Sequence, residues 1–184
     1  MLPTHAPEQF KMRRISIVGT TGSGKSTLAR DLSKKLGVQC VELDAINWQP
    51  NWTPIDPSEF AERVCEAAAK ECWVIEGGYS KVRPLIWARA DTVIWLDYPF
   101  STVFWRLLSR TIRRCVRKEE LWSGNRESIN MVFSSDSIIL WLFRSYWRRK
   151  RQFPELLSRP EHQHLHVLRF QSPKETSDWL RHLN

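Results

Sequence analysis

No stretch of this 184-residue chain approaches the roughly 18 consecutive apolar residues that a membrane-spanning helix requires. The longest candidate, Ile138 to Phe143, is far too short, which excludes a helical membrane span. The start, residues 1–12, is polar, carries Pro3 and Pro7, and lacks the apolar centre of a secretory signal, so a flexible tail is expected there. Four cysteines (Cys40, Cys65, Cys72 and Cys115) are scattered without a C-x-x-C pair. That argues against a disulfide frame or a zinc site and for reduced core thiols in a cytoplasmic protein. Internal repeats and low-complexity segments are also missing, which removes repeat arrays and linker-like chains from consideration.

What is present fits one domain over residues 13–184, with 42% hydrophobic and 26% charged residues. The charge is unbalanced: net +8, with a pI near 9.6. Such a surplus calls for a polyanionic partner, either a nucleoside triphosphate or a nucleic acid, and composition does not choose between them.

One string does choose. Gly19-Thr20-Thr21-Gly22-Ser23-Gly24-Lys25-Ser26-Thr27 satisfies G-x-x-x-x-G-K-[ST] in full. Its glycines let successive backbone N–H groups point into one hollow around phosphate oxygens. Lys25 would reach the β- and γ-phosphates of ATP, and the Ser26 hydroxyl would ligate Mg²⁺. The context is right as well. Ile15 to Val18 reads as a buried strand, and Leu28, Leu32 and Leu36 recur at helical spacing before a stop at Gly37.

Further strands are expected at Cys40–Leu43, Trp73–Ile75, Thr92–Leu96 and His164–Phe170. They are near-continuously apolar and separated by helical patterns, which implies a parallel sheet covered on both faces. Asn47 to Pro54 reads as a proline-broken loop. Asp56-Pro57-Ser58-Glu59 opens a helix with a cap, a first-position proline and a capping-box glutamate. Arg83 and Pro84 fall in a connecting segment. A helix from Ser101 carries Val103, Phe104, Leu107 and Leu108 on one side and Arg106, Arg110, Arg113, Arg114 and Arg117 elsewhere. Glu119 to Ser134 loses periodicity and reads as a loop. A helix over about 136–152 and an amphipathic helix over Lys174–Leu183 close the chain.

These residues resemble the adenylate-kinase-like P-loop kinases. Several strings resemble more narrowly the FlaR-type proteins, bacterial adenylate-kinase-related kinases linked to DNA topology modulation. The strings are Glu42-Leu43-Asp44, Trp48-x-Pro50-Asn51-Trp52, Asp97-Tyr98-Pro99, Arg106-Leu107-Leu108-x-Arg110 and Leu121-Trp122-x-Gly124-Asn125-Arg126-Glu127. The resemblance implies an α/β P-loop fold with a five-stranded parallel sheet, a substrate-side segment near 47–70 and an arginine-rich lid near 110–134. It implies that Arg106 and Arg110 face the nucleotide phosphates. It also implies that Glu76, where aspartate is usual, holds magnesium-bound water.

The candidate site residues each have a duller reading. Arg106 and Arg110 lie four apart on one helix face, suited to phosphate contacts or to a solvated face. Arg144, Arg148 and Arg151 recur at helical spacing and are candidates to enter the site, whereas Arg149 and Lys150 read as a solvated basic face. Asp44 ends a strand on the edge where open α/β folds bind ligands. By resemblance to shikimate-type kinases it would orient the acceptor hydroxyl; otherwise it is a turn aspartate. Asp97 reads as structural. Trp48 and Trp52 are candidates to stack on a planar substrate, and His162, His164 and His166 read as packing residues. The function expected is ATP-dependent phosphoryl transfer to a small acceptor. A nucleotide-gated nucleic-acid-binding regulator and a stand-alone ATPase are the alternatives. The acceptor and the oligomeric state are open.

Overall fold

The computed structural model describes residues 12–128 and 137–183. Most of the expected tail and the 129–134 part of the expected lid lie outside them. In chain order the elements are β1 (Arg14–Gly19), α1 (Lys25–Leu36), β2 (Gln39–Glu42), α2 (Leu43–Asn47), β3 (Trp48–Gln49), β4 (Thr53–Pro54), α3 (Pro57–Ala69), β5 (Trp73–Glu76) and α4 (Arg83–Trp87). They continue with β6 (Thr92–Leu96), α5 (Phe100–Arg117), α6 (Ile138–Leu157), β7 (His166–Phe170) and α7 (Pro173–His182).

The five long strands form one sheet in the order β2-β5-β1-β6-β7, every neighbouring pair parallel. Alternation along each strand feeds two cores. Ile15, Ile17, Val74, Ile94 and Leu96 face Leu28, Leu32, Val103 and Leu107 of α1 and α5. Val18, Trp73, Ile75, Val93 and Trp95 face Phe60, Val64, Ile86 and Trp87 of α3 and α4. A buried polar group on this second face is satisfied, since the Trp87 indole donates to Ser16 Oγ at 3.2 Å.

Helix α6 belongs to both layers. Its Leu142 and Tyr146 enter the first core and its Phe153 the second. It therefore crosses the ends of the strands, where Tyr146 donates to the carbonyl of Tyr98 just after β6. That crossing places the middle of α6 over the edge that carries the glycine loop.

Some local expectations change. Asp44, expected to end the strand, stands in the first turn of α2, two residues beyond the end of β2 at Glu42. The expected loop 47–54 contains the hairpin β3–β4, paired Trp48 with Pro54 and Gln49 with Thr53. Its reversal is made by Asn51 and Trp52, both left-handed at φ 59° and 55°, which no hydrophobic periodicity announces. Arg83-Pro84 begins a helix, where a proline in the first turn costs no hydrogen bond. Helix α6 runs on to Leu157, past the expected end near 152, with Pro154 inside it at the cost of one helical hydrogen bond. Asp56 caps α3 as expected, while Glu59 pairs with Arg63. The cysteines are free; Cys40 packs against the first core as a half-buried thiol, whereas Cys72 and Cys115 are half-buried outside the two cores and Cys65 is exposed.

Candidate functional site

The glycine loop is bent by Gly19, Gly22 and Gly24, at φ 154°, 80° and 96°. Two of these glycines also make room. A Cβ on Gly22 would lie 2.8 Å from the Val103 carbonyl oxygen, and one on Gly24 would lie 2.8 Å from a guanidinium nitrogen of Arg106. The loop is thereby seated directly on α5. Inside it, Ser23 Oγ donates to the Thr20 carbonyl at 2.8 Å and Lys25 Nζ to the same oxygen at 3.1 Å. Gly24 caps α1 with no side chain, so the first-turn N–H groups face the hollow as anion donors.

Ser26 Oγ donates to Glu76 Oε1 at 2.7 Å. Glu76 is 2% exposed at the end of β5, and burial raises its pKa against the opposing pull of Lys25 and the Ser26 bond. Lys25 is shifted the other way: burial lowers its pKa, and the Glu76 carboxylate partly offsets this. A hydroxyl and a carboxylate are hard oxygen donors of the kind Mg²⁺ takes. No cluster of three His, Cys, Asp or Glu side chains suited to a metal occurs among the described residues. The pair thus fits an ion that completes its shell with water and substrate oxygens, as Mg²⁺ does with phosphates.

Across from this pair, Asp44 Oδ1 accepts from Tyr79 Oη at 2.6 Å. Burial and the Asp44 charge push the tyrosine pKa up, so the phenol stays a donor. Arg149 completes this side, and here the expectation of a solvated basic face for Arg149 and Lys150 is corrected. Arg149 donates to the carbonyls of Gly19 at 3.1 Å and Gly78 at 3.3 Å, and burial lowers its pKa, with Arg83 and Arg148 adding to the effect. Lys150 lies 3.6 Å from Asp97. Arg144, Arg148 and Arg151 are the exposed ones. The missed signal is the phase of α6. Leu142, Tyr146 and Phe153 are its buried stripe, and Arg149 falls on that stripe.

On α5, Arg106 reaches Gly24 and lies with its guanidinium 6.0 Å over the Tyr98 ring. Burial, then the charge of Arg114, lowers the pKa of Arg110, and its Nε has no hydrogen-bond partner among the described residues. Arg113 pairs with Glu119 at 3.3 Å, Arg114 with Glu127 at 2.8 Å and Arg126 with Glu120 at 3.4 Å. Between these arginines and the glycine loop opens a cleft of about 1040 Å³, lined by Lys25, Ser26, Thr27, Arg106, Arg110 and Trp122 among others.

Asp97 accepts from Arg169 Nε at 3.1 Å and has no bond to Ser26, which agrees with its structural reading. Trp48 and Trp52 pack edge to face on each other, with ring centroids 5.7 Å apart. His162 and His164 hydrogen-bond the carbonyls of Leu156 and Trp87, as packing residues do.

A family model described as an AAA domain matches residues 15–127. Shikimate kinase of Persephonella marina (strain DSM 14350 / EX-H1) is 30% identical over 139 residues, covering 66% of this chain and 80% of that protein. The solved shikimate kinase from Bacteroides thetaiotaomicron superposes with a TM-score of 0.56 at 16% identity, over 93% of this chain and 96% of its own. The shikimate kinase from Acinetobacter baumannii in complex with shikimate gives 0.55 at 15% identity, over 92% and 89%. At these identities the two structures speak to the fold alone: a five-stranded parallel α/β P-loop kinase fold.

Proposed function

This chain belongs to the AAA-domain family, with a shikimate kinase among its relatives, and on that premise we propose that it transfers the γ-phosphoryl group of ATP to a small hydroxyl-bearing acceptor. The observation that carries the reading is the position of Asp44. It is close enough to Lys25 and Glu76 for its charge to act on both, yet among the described residues its side chain is hydrogen-bonded to Tyr79 and paired with no structural cation. A phosphate site and a carboxylate for a second substrate thus share one strand edge.

Each residue then has a task. The loop Gly19–Thr27 cradles the phosphates and Lys25 neutralises the β/γ oxygens. Ser26 and Glu76 would hold Mg²⁺, which supplies Lewis-acid charge at the transferring group. Arg106 and Arg110 face the nucleotide from α5, and Arg110, with its unpaired Nε, stabilises negative charge as it spreads in the transition state. Asp44 orients the acceptor hydroxyl and accepts its proton. Arg149 has backbone carbonyls as its hydrogen-bond partners and no carboxylate pair among the described residues, so it suits an acceptor with an anionic group. The arginine-rich stretch from Arg110 through Arg126, which begins in the second half of α5, serves as the lid, and the narrower FlaR-type likeness rests on the two tryptophan strings.

A nucleic-acid partner has less to grip than the net charge suggests, because Arg113, Arg114 and Arg126 are already paired within the chain. The test is a transfer screen from γ-labelled ATP across nucleoside monophosphates, sugars and small hydroxy acids, shikimate included. Labelled product is expected with at least one acceptor and with Mg²⁺ present, and is expected to vanish in Lys25→Ala at matched thermal stability. Phosphate released only to water, with every acceptor unlabelled, would leave an ATPase instead.

A further inference from the structure

The two tryptophan strings that the chemistry above leaves without a task lie against each other. Asn125 is 5% exposed although it sits in an irregular turn. Its Oδ1 accepts from the Trp52 amide at 2.9 Å, while its Nδ2 donates to the carbonyls of Gln49 at 2.8 Å and Trp122 at 2.9 Å. Around it, Ser123 Oγ donates to the Trp48 carbonyl at 2.6 Å and the Trp52 indole to the Arg126 carbonyl at 3.4 Å. Both partners are bent to meet. Trp52 and Ser123 hold left-handed backbones at φ 55° and 57°, a conformation that non-glycine residues keep only when their surroundings enforce it.

Each partner is rooted in a different half of the site. The turn 119–127 is held to α5 by Arg113–Glu119 and Arg114–Glu127, and its Trp122 lines the cleft beside the glycine loop. The hairpin 48–54 follows directly on α2, which carries Asp44, and the Ile55 amide closes it back onto the Asn47 carbonyl at 2.8 Å. Asn125 does not line the cleft itself. Its position is between the two halves.

We infer that Asn125 is a positioning residue that joins the turn 119–127 and the hairpin 48–54 into one body, so that a nucleotide in the cleft orders the acceptor side. The inference rests on the nucleotide site proposed above. A planar amide with one acceptor and two donors is suited to this, because the hairpin presents an N–H and a carbonyl and the turn a second carbonyl. Cutting it takes this partner from the Trp52 amide and the Gln49 carbonyl of the hairpin, while the Trp122 carbonyl keeps the Asn125 backbone amide at 3.1 Å, so the loss falls on the contact between the two segments. Coupling of this kind is reciprocal: whatever factor the nucleotide lends to acceptor binding, the acceptor returns to nucleotide binding.

The test is amide hydrogen–deuterium exchange on the full chain, with and without a non-hydrolysable ATP analogue and Mg²⁺. In the wild type the analogue is expected to slow exchange at residues 19–27 and, by about tenfold, at residues 48–54. Asn125→Ala is expected to keep the first effect and lose the second, with the strands β1 and β6 exchanging as in the wild type. A merely structural role would loosen the hairpin but leave its response to the analogue in place. Ser123→Ala removes one exposed bond and is expected to weaken the response at 48–54. No slowing at 19–27 in the wild type sinks the nucleotide reading and this inference with it. Slowing at 19–27 with none at 48–54, or with an undiminished response in Asn125→Ala, overturns the coupling alone. Should Asn125→Ala not fold, an undiminished response in Ser123→Ala overturns it as well.

Discussion

Arg149 enters the interior with two backbone carbonyls as partners, and burial works against its charge. Such an arginine gains most when an anion arrives, since a charge-assisted pair in a desolvated site is stronger than a neutral bond. Arg149→Ala is therefore expected to raise the acceptor KM by about 10–100-fold, the size of one such bond, with a smaller change in ATP affinity. Arg149→Lys should recover part of it, because an ammonium supplies the charge without the planar fork. Steady-state kinetics with the best acceptor of the transfer screen check both, and an unchanged acceptor KM would remove Arg149 from that side. In the proposed reaction Arg110 acts on the other substrate. Arg110→Ala is expected to lower kcat by about 10²–10³-fold while the ATP Kd moves little, because positioned arginines act on charge that redistributes in the transition state. A loss confined to ATP affinity would make it a ground-state contact.

Among the elements, α3 offers the cleanest pH dependence. Asp56 caps it through Ser58 and Glu59, and the Ser58 side-chain bond, then the two backbone bonds, lower its pKa from 3.8. A carboxyl lowered in the folded state contributes stability above its unfolded pKa and loses it as pH falls through the folded value. Asp56→Ala should thus lower Tm at pH 7, and the gap to the wild type should close below about pH 3.8. A gap that stays constant down to acid pH would count against the cap. Elements like this one were legible because their signals are local: cap, proline and apolar phase stand within a few residues. The same holds for β1, the glycine loop and α1. Arg149 was not legible from charge, since residues 148–151 are all basic and only the apolar phase of α6 marks out the half-buried one that reaches the Gly19 and Gly78 carbonyls. The contact between Trp52 and Asn125 was beyond local reading altogether, because it joins two irregular segments far apart in the chain.

For the whole molecule, the surplus of +8 is not one continuous field, because several arginines of α5 and the turn after it are paired with glutamates. Transfer to a small acceptor should therefore depend weakly on salt. Raising it from about 50 to 200 mM should change kcat/KM by less than tenfold, where a binder of several backbone phosphates would lose about 10³–10⁵ in affinity. Titrating KCl in the transfer assay and in a DNA-binding assay decides it, and a steep slope in the second with none in the first would point to a separate nucleic-acid role. No helix among the described residues is long and apolar enough to cross a membrane. The strand order has a consequence for how the protein is made. β1 stands between β5 and β6, and its last residue, Gly19, pairs with Leu96. On the ribosome, the loop meant for phosphate emerges long before either neighbour of its strand exists. β5 can cover one edge of that strand once Glu76 is out, but until Leu96 has left the exit tunnel its other edge, the one that ends at Gly19, stays bare. A chaperone that shields residues 14–36 during that interval would act on synthesis without touching the finished protein.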